Sequence, residues 1–136
     1  MSSTTEFSDP FSAAVRRGDV LSADCPSREV LKHMTSRWGV LVLVILLGGM
    51  HRFSELRRKI GGVSEKMLSQ TLQGLESDGL INRKSLPVVP PHVEYSLSPL
   101  GQEAAQHLEV MVNWIEEKLP EIMSWRHSRE DDKTDG

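Results

Sequence analysis

Residues 53–97 decide the fold, and they read FSELRRKIGGVSEKMLSQTLQGLESDGLINRKSLPVVPPHVEYSL. In the first half of this stretch the apolar residues recur every three or four positions, which is the spacing of an amphipathic helix. In the second half, residues 93–97 alternate cleanly between apolar and polar, as in a strand, and residues 80–86 do so moderately. The stretch therefore predicts two helices joined by a turn, followed by a two-stranded ribbon.

The helical half has the form of a helix-turn-helix. A short helix is predicted from Phe53 to Ile60, and Gly61-Gly62 forms the turn. Ser64 is a good N-cap for a second helix that runs to Asp78, because its hydroxyl can accept a hydrogen bond from a free backbone N–H. The predicted apolar stripe of the second helix comprises Leu68, Leu72 and Leu75.

The ribbon that follows has the form of a wing. Leu80–Leu86 and Val93–Leu97 are predicted as strands, and the connection Pro87–His92 contains three prolines. Because proline fixes its own backbone, we expect a stiff and protruding loop. A helix fits the major groove of DNA, which is about 12 Å wide, and an adjacent ribbon can reach the flanking backbone. The order of elements therefore suggests a winged-helix DNA-binding domain.

Polar and basic side chains on these elements are the candidate DNA contacts. The second helix presents candidate contacts at Ser64, Lys66, Ser69, Gln70 and Gln73. Of these, glutamine can pair with adenine edges and lysine with guanine edges. Candidate phosphate contacts, which set affinity but carry no sequence information, are Arg52, Arg57, Arg58, Arg83, Lys84 and His92. A polar helix face is also common in proteins that do not bind DNA, and winged-helix domains also serve as protein-interaction modules.

The residues before this stretch form an arm and further helices. Residues 1–24 are polar and are predicted as a flexible arm. A short helix is predicted from Arg28 to Arg37, with Ser27 as its N-cap. Trp38–Leu47 fits either a buried strand or a buried helix, because its β-branched residues favour a strand whereas its neighbours favour a helix. Gly48-Gly49 ends it in either case.

The residues after the stretch predict one long helix that opens at Ser98-Pro99. We expect Pro120 to kink or split it and residues 126–136 to form a disordered, charged tail. Its apolar stripe, about 33 Å long at 1.5 Å per residue, comprises Leu100, Ala104, Leu108, Met111, Ile115, Leu119 and Ile122. Further apolar residues, at Val110, Val112 and Trp114, exceed what one small domain can cover, which favours a homodimer. The alternative is that the N-terminal arm or the first helix covers them within one chain.

Composition narrows the class of protein. The chain has 136 residues, 38% of them hydrophobic and 26% charged, which fits one domain spanning residues 25–125. The longest apolar run, Val40–Leu47, is far shorter than the roughly 20 residues that cross a bilayer. The polar start lacks the regions of a signal peptide, so we expect a cytoplasmic protein without membrane contact. The net charge is −3, but residues 51–85 carry seven basic and four acidic side chains, and this local excess favours a polyanionic partner.

No set of residues predicts catalysis or a metal site. The five histidines are scattered, and His33 is interpreted as a structural residue. There is no nucleophile elbow and no phosphate-binding glycine loop, so we expect neither an enzyme nor a cofactor. The single cysteine, Cys25, precedes the first helix, where the helix dipole favours a thiolate. It is either a candidate redox sensor or a small apolar residue in the core.

Several segments resemble the HxlR family of transcriptional regulators, over about residues 25–120. They are Cys25-Pro26, Trp38-Gly39, 52–58 (RFSELRR), 63–70 (VSEKMLSQ), 75–81 (LESDGLI) and 90–101 (PPHVEYSLSPLG). The resemblance implies a mainly α winged helix with a small β-hairpin, and dimerisation through the first and last helices. It also implies that Trp38–Leu47 is a helix, and that a cysteine at position 25 is a sensor in some members. Leu86 and His92 depart from the family pattern, in which an aromatic and a basic residue are common.

Together these observations predict a regulator that binds a pseudo-palindromic operator in double-stranded DNA as a homodimer. The two half-sites would lie about one helical turn apart, roughly 34–36 Å. The regulator could respond to an oxidant or to a small apolar effector, for which Trp38, Trp114 and Met111 are candidate contacts. The alternative is a winged-helix module that binds a protein partner and has no specific DNA site.

Overall fold

The structure is a computed structural model, and it describes residues 19–135. Most of the predicted arm, residues 1–18, lies outside the described residues, and residues 19–24 form turns. Within the described range the chain is mainly helical, with one small sheet. Its elements are α1 (Pro26–Thr35), α2 (Arg37–Leu46), β1 (His51–Arg52), α3 (Phe53–Lys59), α4 (Glu65–Ser77), β2 (Ile81–Leu86), β3 (His92–Leu97) and α5 (Pro99–Asp135).

The first helix begins two residues earlier than the sequence predicts. Cys25, and not Ser27, is its N-cap residue, and Pro26 occupies the first helical position. Proline is favoured there because its missing N–H would have no partner in the first turn anyway. The helix ends at Thr35, because Ser36 caps the next helix by accepting a hydrogen bond from the Gly39 N–H at 3.0 Å.

The ambiguous segment is a helix, as the family resemblance implies. The described helix α2 runs from Arg37 to Leu46 and buries Val40, Val42, Leu43 and Leu46. Because α1, α4 and α5 all pack against it, apolar residues are needed around most of its circumference. A helix that is buried on most sides carries no helical period in its sequence, and this explains the ambiguity.

The wing is a three-stranded antiparallel sheet in the order β1-β3-β2, where the sequence predicts only two strands. The additional strand, β1, is two residues long and pairs His51 with Tyr95 and Arg52 with Glu94. In the hairpin, β2 and β3 pair from Ile81 opposite Leu97 to Leu86 opposite His92. The strand β1 thus ties the wing to the beginning of α3, and the wing's base is fixed relative to the helix-turn-helix.

One apolar core holds these elements together. It is formed by residues from α2, α3, α4, the sheet and the first turns of α5. The predicted stripe Leu68, Leu72 and Leu75 is fully buried in it, so the rotation of α4 about its axis is fixed. At 20–33 cal/mol per Å² of apolar surface, each such leucine stabilises the fold by about 2 kcal/mol.

The last helix, α5, extends well past this core. It has 37 residues, or about 55 Å at 1.5 Å per residue, and only its first turns, through Leu108, are buried. The helix runs through Pro120 without being split. It also continues through residues 126–135, where the sequence predicts a disordered tail. Adding residues to an existing helix avoids the cost of nucleation, and the glutamate, lysine and arginine in this segment are good helix formers.

The sequence predicts that no segment of the chain crosses a membrane, and the lengths and compositions of the helices test this. Within residues 19–135, no helix combines the length and the apolar character that crossing a membrane requires.

Candidate nucleic-acid interface

The polar side of α4 is exposed because its opposite side is anchored in the core. Ser64 caps the helix, with its hydroxyl oxygen accepting a hydrogen bond from the Met67 N–H at 3.1 Å. The predicted cap residue is therefore confirmed as a structural cap. The helix is 13 residues long, and the diameter of an α-helix with its side chains, about 10–12 Å, fits the width of a major groove, about 12 Å. The predicted base-contacting residues Lys66, Ser69, Gln70 and Gln73 are all exposed.

Two arginines of α3 lie beside the start of α4. Arg57 and Arg58 are exposed in the last turn of α3 and line a surface depression of about 510 Å³ together with Phe53, Ser54 and Glu65. The guanidinium of Arg57 lies 3.8 Å from a carboxylate oxygen of Glu65, in the first turn of α4. Because both side chains are more than half exposed, this contact is weak and leaves the arginine available to another anion.

The base of the wing meets the other end of the polar face of α4. Ser69, Gln73 and Glu76 of α4 line a second depression, of about 290 Å³, together with Arg83 of β2 and Tyr95 of β3. The predicted phosphate contact Arg83 is thereby brought next to two predicted base contacts. Glu76 and Tyr95 belong to the same depression, although the sequence does not single them out.

The other predicted wing contacts lie elsewhere on the sheet. The strand register places Arg52, Glu94 and Lys84 in one row across the sheet, with the acidic Glu94 between the two basic residues. The carboxylate of Glu94 reduces the positive field of this row. The sequence does not reveal this, because the three residues become neighbours only when the three strands pair. His92 is half-buried at the start of β3. The loop beyond it protrudes, and the side chain of Val89 at its tip is 99% exposed.

Two local contacts hold α3 in place. The Arg52 N–H donates a hydrogen bond to Glu55 Oε1 at 2.8 Å. This bond, helped by nearby positive charges, lowers the pKa of Glu55, so an ionised carboxylate faces the N-terminus of α3. At the other end, the Lys59 ammonium donates to Nε2 of buried His51 at 2.7 Å. Because an ammonium can only donate, the proton of the His51 ring is on Nδ1, which donates to the Gly49 carbonyl oxygen at 2.8 Å.

Cys25 is half-buried at the N-cap of α1. Its sulfur lies 3.0 Å from the Ser27 hydroxyl and accepts a hydrogen bond from the Asp19 N–H at 2.9 Å. These two contacts, that of Ser27 first, lower the pKa of the Cys25 thiol. Arg28, in the first turn of α1, donates a hydrogen bond to the Leu21 carbonyl oxygen at 3.2 Å.

Apolar side chains remain exposed on the part of α5 that passes the core. Val110 is 70% exposed and Trp114 is 55% exposed, whereas Val112 is half-buried. We call this set the α5 apolar surface, and its exposed members are Val110, Met111, Trp114, Ile115, Leu119, Met123 and Trp125. Of the predicted effector contacts, Trp114 and Met111 belong to this surface, while Trp38 packs against the core.

The chain is similar in sequence to known helix-turn-helix regulators. A family model described as HxlR-like helix-turn-helix matches residues 33–123. The HTH-type transcriptional regulator YtfH of Escherichia coli K12, itself uncharacterised, is 59% identical over 118 residues, which cover 87% of this chain and 94% of the relative.

Solved structures agree with this match. The ytfH regulator of Salmonella typhimurium superposes with a TM-score of 0.78 at 61% identity, over 81% of this chain and 98% of that one. The redox regulator HypR in its reduced form gives a TM-score of 0.66 at 30% identity, over 73% of this chain and 98% of that one.

These relatives are regulators and not enzymes, and the described residues contain no cluster of three or more metal-binding side chains.

Proposed function

The chain belongs to the HxlR-like helix-turn-helix family of transcriptional regulators, and we propose that it binds a specific, pseudo-palindromic operator in double-stranded DNA as a homodimer. In this proposal α4 enters the major groove, where Lys66, Ser69, Gln70 and Gln73 contact base edges. Phosphate contacts come from the backbone amides near Ser64 and from the side chains of Arg52, Arg57, Arg58, Arg83, Lys84 and His92. The protein acts where the DNA is, so a cytoplasmic location is part of the proposal.

One observation supports DNA binding most strongly, namely the depression shared by α4 and the wing. It brings Arg83 beside Ser69 and Gln73 on a surface that the core holds in a fixed orientation. A cation next to hydrogen-bonding side chains is what a DNA site needs, because phosphates supply affinity while base edges supply specificity. Arg57 and Arg58 extend the positive surface to the other end of α4.

Dimerisation through the first and last helices is supported by the α5 apolar surface. Contiguous exposed apolar side chains are typical of an interface and are costly to leave in water. A second copy would cover them and would place two α4 helices on one face of the duplex. Two helices also double the number of phosphate contacts, which raises affinity steeply at low salt.

Selection of bound fragments from random DNA tests this proposal. We expect an inverted repeat whose half-sites are centred about 34–36 Å apart. We also expect affinity to fall steeply as salt is raised, and specific sites to bind at least about a thousandfold more tightly than random DNA. A protein that enriches no duplex, even in dilute salt, would overturn the proposal and leave a protein-interaction module as the remaining interpretation.

We further propose that Cys25 makes the regulator responsive to oxidants. Its lowered pKa raises the fraction of thiolate, which is the form that attacks a disulfide or a peroxide. HypR, a redox regulator that this chain resembles, has been solved in reduced and oxidised forms. Operator affinity is therefore measured before and after treatment with a small disulfide for the wild type and for Cys25→Ser. A change in the wild type alone supports the proposal, and no change in either protein ends it.

The hydroxyl of Ser27 offers a finer test of the same cysteine. Ser27→Ala removes the main contact that lowers the pKa of the Cys25 thiol. We therefore expect the pH profile of alkylation by iodoacetamide to move to higher pH, with slower alkylation at neutral pH. Ser22→Ala, a change in the same turn that leaves the sulfur contacts intact, serves as the control.

A further inference from the structure

A histidine of α1 contacts the end of α4, although the two residues are 45 positions apart. His33 Nδ1 lies 2.6 Å from Asp78 Oδ2. The side chains are only 23% and 13% exposed, so water competes weakly for this contact. The other ring nitrogen, Nε2, lies 3.5 Å from a carboxylate oxygen of Glu29, which is 63% exposed and on α1 itself. The contact with Asp78 is therefore the one that joins two elements.

The backbone of α4 is shaped to admit the His33 ring. A Cβ atom placed on Gly74 would lie 3.0 Å from Cδ2 and 3.2 Å from Nε2 of that ring. Glycine in the middle of a helix is normally destabilising compared with alanine. Here it permits the ring to lie directly against the helix backbone, and a methyl group at this position would require the ring to move by a few tenths of an ångström.

The electrostatics of the end of α4 also favour this contact. Asp78 is the C-cap residue, and the last turn of α4 contains no basic residue. A carboxylate at this position faces the negative end of the helix dipole, which is unfavourable unless a donor neutralises it. His33, from another helix, is the donor that the structure provides.

The same histidine is linked to α2. Its carbonyl oxygen accepts a hydrogen bond at 3.2 Å from the hydroxyl of Ser36, which caps α2. The contacts of His33 thus reach α1, α2 and α4, and α4 carries the candidate base contacts. A shift of α1 along its axis would pull on the C-terminal end of α4.

We propose that His33 is a positioning residue that fixes the C-terminal end of α4 relative to α1. In the dimer it thereby sets the distance and angle between the two α4 helices, and so the half-site spacing that the protein accepts. The inference rests on the proposed function, because spacing has meaning only for a dimer on DNA. His33 contacts neither bases nor phosphates in this proposal.

The test measures binding to operators in which the spacer between half-sites is varied one base pair at a time. For the wild type we expect a sharp optimum, with affinity falling at least tenfold one base pair away. For His33→Ala and for Gly74→Ala, which displaces the ring while keeping both partners, we expect the optimum to flatten to less than threefold. His33→Asn should restore a sharp profile, because its amide nitrogen can donate near the position of Nδ1.

Matched controls separate positioning from general loss of stability. Gly48→Ala adds the same methyl group where it meets only ordinary contacts, and Ser77→Ala changes α4 next to Asp78 without touching His33. Both should keep the wild-type profile. Thermal unfolding and the active fraction are measured for every variant, and affinities are expressed per active dimer.

Each outcome decides the question. A flattened profile in His33→Ala and Gly74→Ala, with sharp profiles in the controls, supports the proposal. Variants that bind less but keep the wild-type optimum show that His33 is only structural and overturn it. If His33→Ala does not fold, His33→Asn is compared with His33→Gln, whose donor lies near Nε2, and equal profiles overturn the proposal. A wild type without any preferred DNA refutes instead the proposed function.

Discussion

Two exposed surfaces of this chain, the polar face around α4 and the α5 apolar surface, differ in how they interact with water. The first surface is the polar face of α4 with the neighbouring basic side chains of α3 and the wing. Water can form hydrogen bonds with every polar group on it. The α5 apolar surface cannot be satisfied by water, since Val110 and Trp114 are more than half exposed on a helix that has passed the core. The polar surface is therefore stable in water in a single chain, whereas the α5 apolar surface is stabilised only when another apolar surface covers it.

The difference also separates the physical forces that act on each surface. Contacts between basic side chains and DNA phosphates weaken as the salt concentration rises, because binding releases counterions from DNA. Burial of apolar side chains depends little on salt and strongly on protein concentration. Salt therefore acts mainly on DNA contacts, and protein concentration acts mainly on dimerisation. The effect of a substitution on the polar face should depend on salt, and that of a substitution on the α5 apolar surface should depend on protein concentration.

The largest effect is expected from a charge placed in the α5 apolar surface. Ile115→Glu would bury a carboxylate in the proposed interface, at a cost of several kcal/mol. We expect a monomer at micromolar concentration and operator binding weaker by about 100-fold or more, because a hot-spot residue contributes about 2 kcal/mol or more and half of the DNA contacts are lost with the partner. Sedimentation equilibrium and operator titration measure both quantities.

The control for this substitution is Gln106→Glu, which adds the same charge at an exposed polar position of α5. It should remain a dimer. An Ile115→Glu protein that stays dimeric and binds normally would show that α5 does not form the interface, and the contrast between the two surfaces would lose its functional meaning.

The next effect is expected on the polar face of α4. Gln70→Ala removes a candidate base contact, and the loss of a good base contact costs about 1–3 kcal/mol of discrimination. We expect specific binding to weaken by about 5- to 150-fold for each half-site that loses the contact, while binding to random DNA and the dimer stay unchanged. Competition between operator and random DNA measures the ratio. Gln102→Ala, on α5, is the control, and an equal loss on both DNAs would show that Gln70 does not contact bases.

A smaller and sequence-independent effect is expected at α3. Arg57→Gln removes a cation whose own partner, Glu65, holds it weakly at 3.8 Å. If Arg57 contacts one phosphate in each subunit of the proposed homodimer, the slope of log affinity against log salt should become shallower by about 1.8, which is twice the value of about 0.9 for one phosphate contact, equally for operator and random DNA. Arg126→Gln removes the same charge from the exposed end of α5 and should leave the slope unchanged. The same slope in both variants would place Arg57 away from the DNA.

The sequence predicts these surfaces unequally well. Leu68, Leu72 and Leu75 define α4 and its exposed side, because a helix that is buried on one side only keeps its period in the sequence. The helix α2 is buried on most sides and loses that period, so only the family resemblance identifies it. The strand β1 has two residues and exists because His51 and Arg52 pair with β3.

Contacts between distant residues are the part of the site that the sequence does not reveal. The sequence predicts Arg52 and Lys84 as phosphate contacts, but only the strand register places Glu94 between them. In the same way, His33 is interpreted as a structural residue, and its partner Asp78 is identified only by the packing of α1 against α4. Local patterns define single elements, whereas these pairs depend on how the elements pack.

The smallest effect is expected from the acid in that row. Glu94→Gln leaves Arg52 and Lys84 without the carboxylate between them, so the positive field of the wing rises. Near the protein surface, the interaction of one charge with a nearby charge is worth about 0.2–1 kcal/mol, and DNA binding should therefore tighten by about 1.4- to fivefold per half-site in dilute salt and by less at high salt. Glu103→Gln, exposed on α5, makes the same change in net charge and should have no such effect. Unchanged or weaker binding of Glu94→Gln would mean that this face of the sheet points away from the duplex and that Arg83, in the depression beside α4, is the wing's contact with phosphate.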